Sequence, residues 1–116
     1  MLSSLIALLL LADCTPWSGP RTIADKSNAQ LCAMHHIALV TGTAFTVPDG
    51  TLFHEHPDFA KIRLCFPNLL EEGCVLKRSA DFPQPIKVTY CPRCEEEADK
   101  LRAESDRFYK SLHLAR

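Results

Sequence analysis

Ile86-Lys87-Val88-Thr89-Tyr90-Cys91-Pro92-Arg93-Cys94-Glu95-Glu96-Glu97 contains the sharpest change of local character in this 116-residue chain. Residues 86–90 alternate apolar and polar side chains at the two-residue period of a half-buried strand, which predicts Ile86, Val88 and Tyr90 on the inward face. Two cysteines then stand two residues apart, and three glutamates open a helical pattern. Ala98, Leu101, Ser105, Phe108 and Leu112 follow at spacings of three and four, forming one apolar stripe. Glu95, Glu96 and Glu97 at its start, and Arg107, Lys110 and Arg116 at its end, complement a helix dipole. Glu96–Lys100 and Asp106–Lys110 are i,i+4 pairs that mark a solvated face rather than a docking site. Strand, cysteine turn and helix in this order predict an α+β domain. In it, a small antiparallel sheet is covered by an amphipathic C-terminal helix and pinned by a Cys/His metal site.

Upstream of that stretch the signals are shorter. Residues 37–41 and 44–47 are β-prone runs expected to break at Gly42. Val47-Pro48-Asp49-Gly50 is a turn, with proline fixing φ at its second position, and residues 51–53 suit a return strand. Pro57 and Asp58 suit the first turn of a short helix through Cys65, with Phe59, Ile62 and Phe66 on one face. Phe66-Pro67-Asn68 stops that helix. Residues 74–77 are a further strand candidate, and a loop holding Pro83 and Pro85 follows. No repeat or low-complexity segment is present.

Composition narrows the classes of function. The length suits one domain. With 47% hydrophobic and 23% charged residues, the chain has the makings of a core. A net charge of −1 provides no field drawing it to nucleic acid, so no nucleic-acid partner is expected. The four glycines form no phosphate-cradling motif.

The six cysteines carry most of the chemistry. Cys32-Ala33-Met34-His35 is a C-x2-H pair and Cys91-Pro92-Arg93-Cys94 a C-x2-C pair. Two intervening residues let a tight turn aim both side chains at one point, and two such turns supply the four N/S ligands of a closed structural zinc site. Helix-end N–H groups and Arg93 favour thiolates at the second pair. A closed site leaves no position for a zinc-bound water, which argues against hydrolysis there. The separation between the pairs far exceeds the ~12–20 residues of compact two-pair sites, so spacing alone leaves open two redox-active or disulfide-bonded clusters.

Cys32-x-x-His35, Phe66-Pro67-Asn68, Gly73-Cys74-Val75 and Tyr90-Cys91-Pro92-Arg93-Cys94, in this order, resemble a group of small uncharacterised bacterial proteins. Many of these begin with secretion or lipoprotein signals. The order of knuckle, strands and second knuckle at a helix start is also treble-clef-like. The resemblance covers roughly residues 30–97 and implies metal binding by Cys32, His35, Cys91 and Cys94, without implying an activity. One departure stands out: His36 replaces the glycine usual after the C-x-x-H pair, as a rival ligand or a surface residue.

Residues 2–12 form an apolar run too short, at under ~20 Å of helix, for a bilayer core of about 30 Å. It suits a signal peptide, although no Lys or Arg precedes it. Leu11-Ala12-Asp13-Cys14 resembles a lipoprotein signal end, with Asp13 departing from the small residue expected before the cysteine. Cys14 is thus a candidate for lipidation, the one membrane attachment expected. The expected organisation is residues 1–14 as signal peptide, 15–29 as linker and 30–116 as a small metal-binding domain. The destination is the periplasm or an anchored position in the cell envelope. Cys65 and Cys74 are candidates for a disulfide in that setting, with two buried thiols as the alternative.

Enzyme motifs are weak. A strand entering C-P-x-C also suits a thiol–disulfide oxidoreductase with Cys91 attacking and Cys94 resolving, but only one helix's length of chain follows. His54-Glu55-His56 lacks the spacing of H-E-x-x-H, and the H-x-E of zinc deaminases is absent. The expectation is a non-catalytic, zinc-stabilised exported module facing a protein partner. The alternatives are the oxidoreductase and an envelope metal storage or delivery protein using His36, His54 and His56 as extra ligands.

Overall fold

The computed structural model describes residues 14–114. The apolar run proposed as a signal peptide lies outside these residues. The elements in chain order are β1 (Thr22–Ala24), β2 (Gln30–Cys32), β3 (Val40–Thr46), α1 (Pro57–Leu64), β4 (Cys74–Val75), β5 (Gln84–Tyr90) and α2 (Pro92–Leu114). β1 and β2 form an antiparallel hairpin, and β4-β3-β5 an antiparallel three-stranded sheet. This is the α+β architecture expected, with the long helix beginning where β5 ends.

Local chemistry explains most elements. Gly42 does not break β3, because it pairs in register with Val88 and keeps an ordinary strand φ. Pro85 lacks a ladder N–H but lies on β5, an edge strand, where that loss is tolerated. Pro57 occupies the first turn of α1, and the His56 Nδ1 accepts a hydrogen bond from the Asp58 backbone N–H at 3.2 Å. Ile62 and Phe66 are buried and Phe59 half-buried, as the spacing predicts. Asp58, itself buried, accepts a hydrogen bond from the buried Ser105 hydroxyl at 2.8 Å. That polar tie crosses from α1 to the stripe of α2.

Several expectations are corrected. Residues 51–53 form no strand, and Leu52 is 84% exposed. The strand expected over 37–41 starts only at Val40, with Ala38 making an isolated bridge to Leu31. The strand expected over 74–77 is limited to Cys74–Val75. Ile86 is 38% exposed, because the sheet face is only partly covered. Residues 15–29, expected as a linker, include β1 and the turn that leads into β2. Asp25 accepts hydrogen bonds from the Ser27 and Ala29 N–H groups and the Ser27 hydroxyl, closing the β1–β2 turn with Asn28 at φ 65. The Ser27 hydroxyl and these amides hold the Asp25 carboxyl below its ordinary range. Trp17 N–H donates to the Leu64 carbonyl at 2.9 Å, and the Asn68 amide to the Arg21 carbonyl at 2.8 Å.

The core is unusual in composition. Cys32, Cys91 and Cys94 are the largest fully buried side chains, joined by Ile62, Cys65, Phe66 and Ala98. Thiols occupy the centre where a domain of this size ordinarily places Leu, Ile or Phe. α2 follows the same gradient: Ala98 is fully buried, Leu101 half-buried and Leu112 exposed, so its last turns reach beyond the core.

Candidate metal centre

β2 ends at Cys32, and the chain turns back tightly. His36 N–H donates to the Cys32 carbonyl at 2.7 Å and Cys32 N–H to the Ile37 carbonyl at 2.8 Å. This turn carries His35 over the hairpin end. It also places His36 at φ 57, in the left-handed region that favours glycine. The backbone at this position is thus one that glycine adopts most readily, and exposed His36 lies outside the cluster. His36→Gly is expected to raise stability by about 0.5–1 kcal/mol in urea unfolding, where a ligand role would instead cost metal.

The second turn sits between β5 and α2. Cys91 N–H donates to the Asn68 carbonyl at 2.8 Å, Glu95 N–H to the Cys91 carbonyl at 3.1 Å and Cys94 N–H to the Cys91 Sγ at 3.4 Å. The Phe66-Pro67-Asn68 segment, expected to stop α1, therefore also buttresses this turn.

The two turns converge. One ligand atom from each of Cys32, His35, Cys91 and Cys94 lies within 4.8 Å of every other. His35 Nδ1 is 3.7 Å from Cys32 Sγ, 3.5 Å from Cys91 Sγ and 3.4 Å from Cys94 Sγ, and the Cys32 and Cys94 sulfurs are 3.6 Å apart. Zinc–sulfur bonds of ~2.3 Å and zinc–nitrogen bonds of ~2.0–2.1 Å at tetrahedral angles give donor separations of roughly 3.6–3.8 Å. The observed separations match those edges. The Cys32–Cys94 separation is too long for a disulfide, whose sulfurs lie ~2.05 Å apart, and all three cysteines are free thiols.

Electrostatics lead to the same conclusion. Burial pushes the Cys91 and Cys94 thiols up; Cys32 adds to the rise at both, and Cys91 adds to it at Cys94. Burial also raises Cys32, but hydrogen bonds from Asn68 and His35 outweigh it and bring that thiol to about 6. One thiolate is thus accommodated by the protein alone. Ionising the other two calls for a cation among them. His35 Nε2 lies 2.7 Å from Glu97 Oε2, and a hydrogen bond from Nε2–H to that carboxylate orients the ring with Nδ1 toward the sulfurs.

Other candidate residues fall elsewhere. Cys65 is bonded to Cys14, not to Cys74. It caps the C-terminus of α1 and faces the core beside Cys14, whereas Cys74 sits half-buried on β4 opposite Thr46 as a free thiol. That bond engages the sulfur of Cys14, the position expected for lipidation. His54 and His56 are exposed and outside the cluster, and Glu55 forms a two-pronged ion pair with Arg63 at 2.7 and 3.2 Å. Sequence reasoning missed the Cys14–Cys65 bond and the Glu97–His35 contact. Only the second had a signal, since Glu97 lies three residues after Cys94 on the same helical face.

Comparison with protein-family models, curated proteins and solved structures finds no match to this chain. The class defined by fold and site is an α+β domain built around a Cys3His cluster that fits a tetrahedral metal ion.

Proposed function

We propose that this protein is an exported, non-catalytic module whose fold is closed by a zinc ion held by Cys32, His35, Cys91 and Cys94, and which presents its surface to a protein partner. The convergence of four donor atoms from two distant turns carries the reading. Three thiolates and a neutral imidazole are a soft, four-coordinate set suited to zinc, and once filled it leaves no open position for chemistry. Bound there, zinc supplies charge compensation and cross-links the two turns. The chain's own residues bury the ligands and fix the imidazole. The Cys14–Cys65 disulfide supports an oxidising destination, in which a metal also shields the three remaining core thiols from oxidation.

The oxidoreductase alternative needs an exposed thiol of lowered pKa at Cys91. That thiol is fully buried and burial pushes it up. Metal content of the purified full-length chain, measured by mass spectrometry with a free-thiol count under non-reducing conditions, tests the proposal. About one zinc per chain is expected, and less than about 0.2 overturns it.

A further inference from the structure

The four ligands differ in access. Cys32, Cys91 and Cys94 are fully buried, whereas the His35 side chain keeps 10% of its exposure. Solvent therefore meets the cluster at the imidazole. Among the described residues, the hydrogen bond that holds the outer side of the ring is the 2.7 Å one from Nε2 to Glu97 Oε2. The other Glu97 oxygen is 3.8 Å from the exposed Arg93 guanidinium, too long and too wet to immobilise it strongly.

We infer that Glu97 is a latch on His35, a positioning residue that sets how fast metal enters and leaves the centre. This rests on the metal-binding reading above. A closed tetrahedral set exchanges its ion only after one ligand withdraws. The buried sulfurs are hemmed in by Ile62, Phe66 and Ala98. The imidazole has solvent beside it and is restrained by a hydrogen bond to a carboxylate that fixes the ring's orientation with Nδ1 aimed inward. Without the carboxylate the ring turns outward more readily, while the three sulfurs keep their places.

The test compares full-length, zinc-loaded wild type with Glu97→Ala, Glu97→Gln and Glu96→Ala. Glu96 carries the same charge one position earlier, pairs with Lys100 at 3.6 Å and faces the solvated side. The readouts are the rate of zinc transfer to excess chromophoric chelator and the 15N shifts of the His35 ring. Glu97→Ala is expected to accelerate transfer by about 10–100-fold and to shift the Nε2 resonance, with Nδ1 remaining the metal-bound nitrogen. Glu97→Gln recovers part of the loss, because its amide oxygen still accepts from Nε2–H. Glu96→Ala stays within about two-fold of wild type. Equal rates for wild type and Glu97→Ala overturn the latch, as does equal acceleration by Glu96→Ala. So does an acceleration that merely follows a fall in the urea midpoint of the zinc-loaded protein. A chain that takes up no zinc overturns the metal reading and the latch together, whereas a loaded chain with unchanged rates overturns the latch alone.

Discussion

Withdrawing zinc with a strong chelator at neutral pH is expected to abolish the cooperative melting transition of this domain. The reason lies in what fills its centre. The fully buried side chains of greatest volume are Cys32, Cys91 and Cys94, which offer little apolar area compared with the Leu, Ile or Phe of an ordinary core. Small domains have ~5–15 kcal/mol of net stability at most, and structural zinc contributes ~10–16 kcal/mol in zinc-finger peptides at neutral pH. Losing the ion therefore exceeds the whole margin. It also leaves three thiols crowded together, two of them pushed up by burial. Cys94→Ser is expected to reproduce the chelator effect, with amide resonances collapsing to the narrow dispersion of an unfolded chain. Cys74→Ser, at a free thiol on β4 outside the cluster, is expected to cost less than about 1.5 kcal/mol. A melting midpoint that chelator moves by less than about 2 °C would falsify the zinc-closed fold. Acid acts in the same direction, because protons compete with the metal for thiolate and imidazole alike.

The second large effect belongs to Cys14–Cys65. The bond joins residues 51 positions apart, so the loop it closes is long. In the chain-entropy account a loop of that length stabilises by about 4 kcal/mol at 25 °C, through restriction of the unfolded ensemble. The native state benefits too, since the bond anchors the chain entering the β1–β2 hairpin beside α1, where Trp17 N–H meets the Leu64 carbonyl. The double variant Cys14→Ala/Cys65→Ala, loaded with zinc, is expected to lose about 4 kcal/mol in urea unfolding. A loss below about 1 kcal/mol removes the bond from the account of stability. Peptide mapping of the full-length, unreduced protein provides a direct check: one cross-linked fragment containing Cys14 and Cys65 is expected, with Cys74 free. A lipid-modified Cys14 peptide, or a Cys65–Cys74 link, contradicts it.

Both predictions concern long-range bonds, and those were the least legible features of the sequence. β5 and α2 were legible because their signals are local and repetitive: residues 86–90 alternate, and Ala98 to Phe108 hold a helical stripe. α1 was legible from Pro57 and the spacing of Ile62 and Phe66. Gly42 misled, because glycine in isolation reads as a breaker and only the partner strand shows that it continues the ladder. Residues 51–53 misled in the opposite way, because a β-prone run with no partner strand beside it has nowhere to donate its hydrogen bonds. The hairpin at residues 22–32 was overlooked because its strands are three residues each, too short for apolar alternation to be read.

By itself, the sequence determined the two ligand pairs, since Cys32 with His35 and Cys91 with Cys94 are set by the geometry of a single tight turn. It also determined the order of strand, turn and helix, which follows from hydrophobic period and helix-end charge. Only the tertiary structure decided that the two pairs face one another, that Cys65 takes Cys14 rather than Cys74, and that Glu97 holds His35. These depend on the path of the chain between distant turns. A two-residue spacing fixes direction over a few ångströms, but no local pattern records where a strand edge or helix start comes to rest against another. The cysteines could be counted and paired with near neighbours from the sequence, whereas their actual partners were chosen by packing.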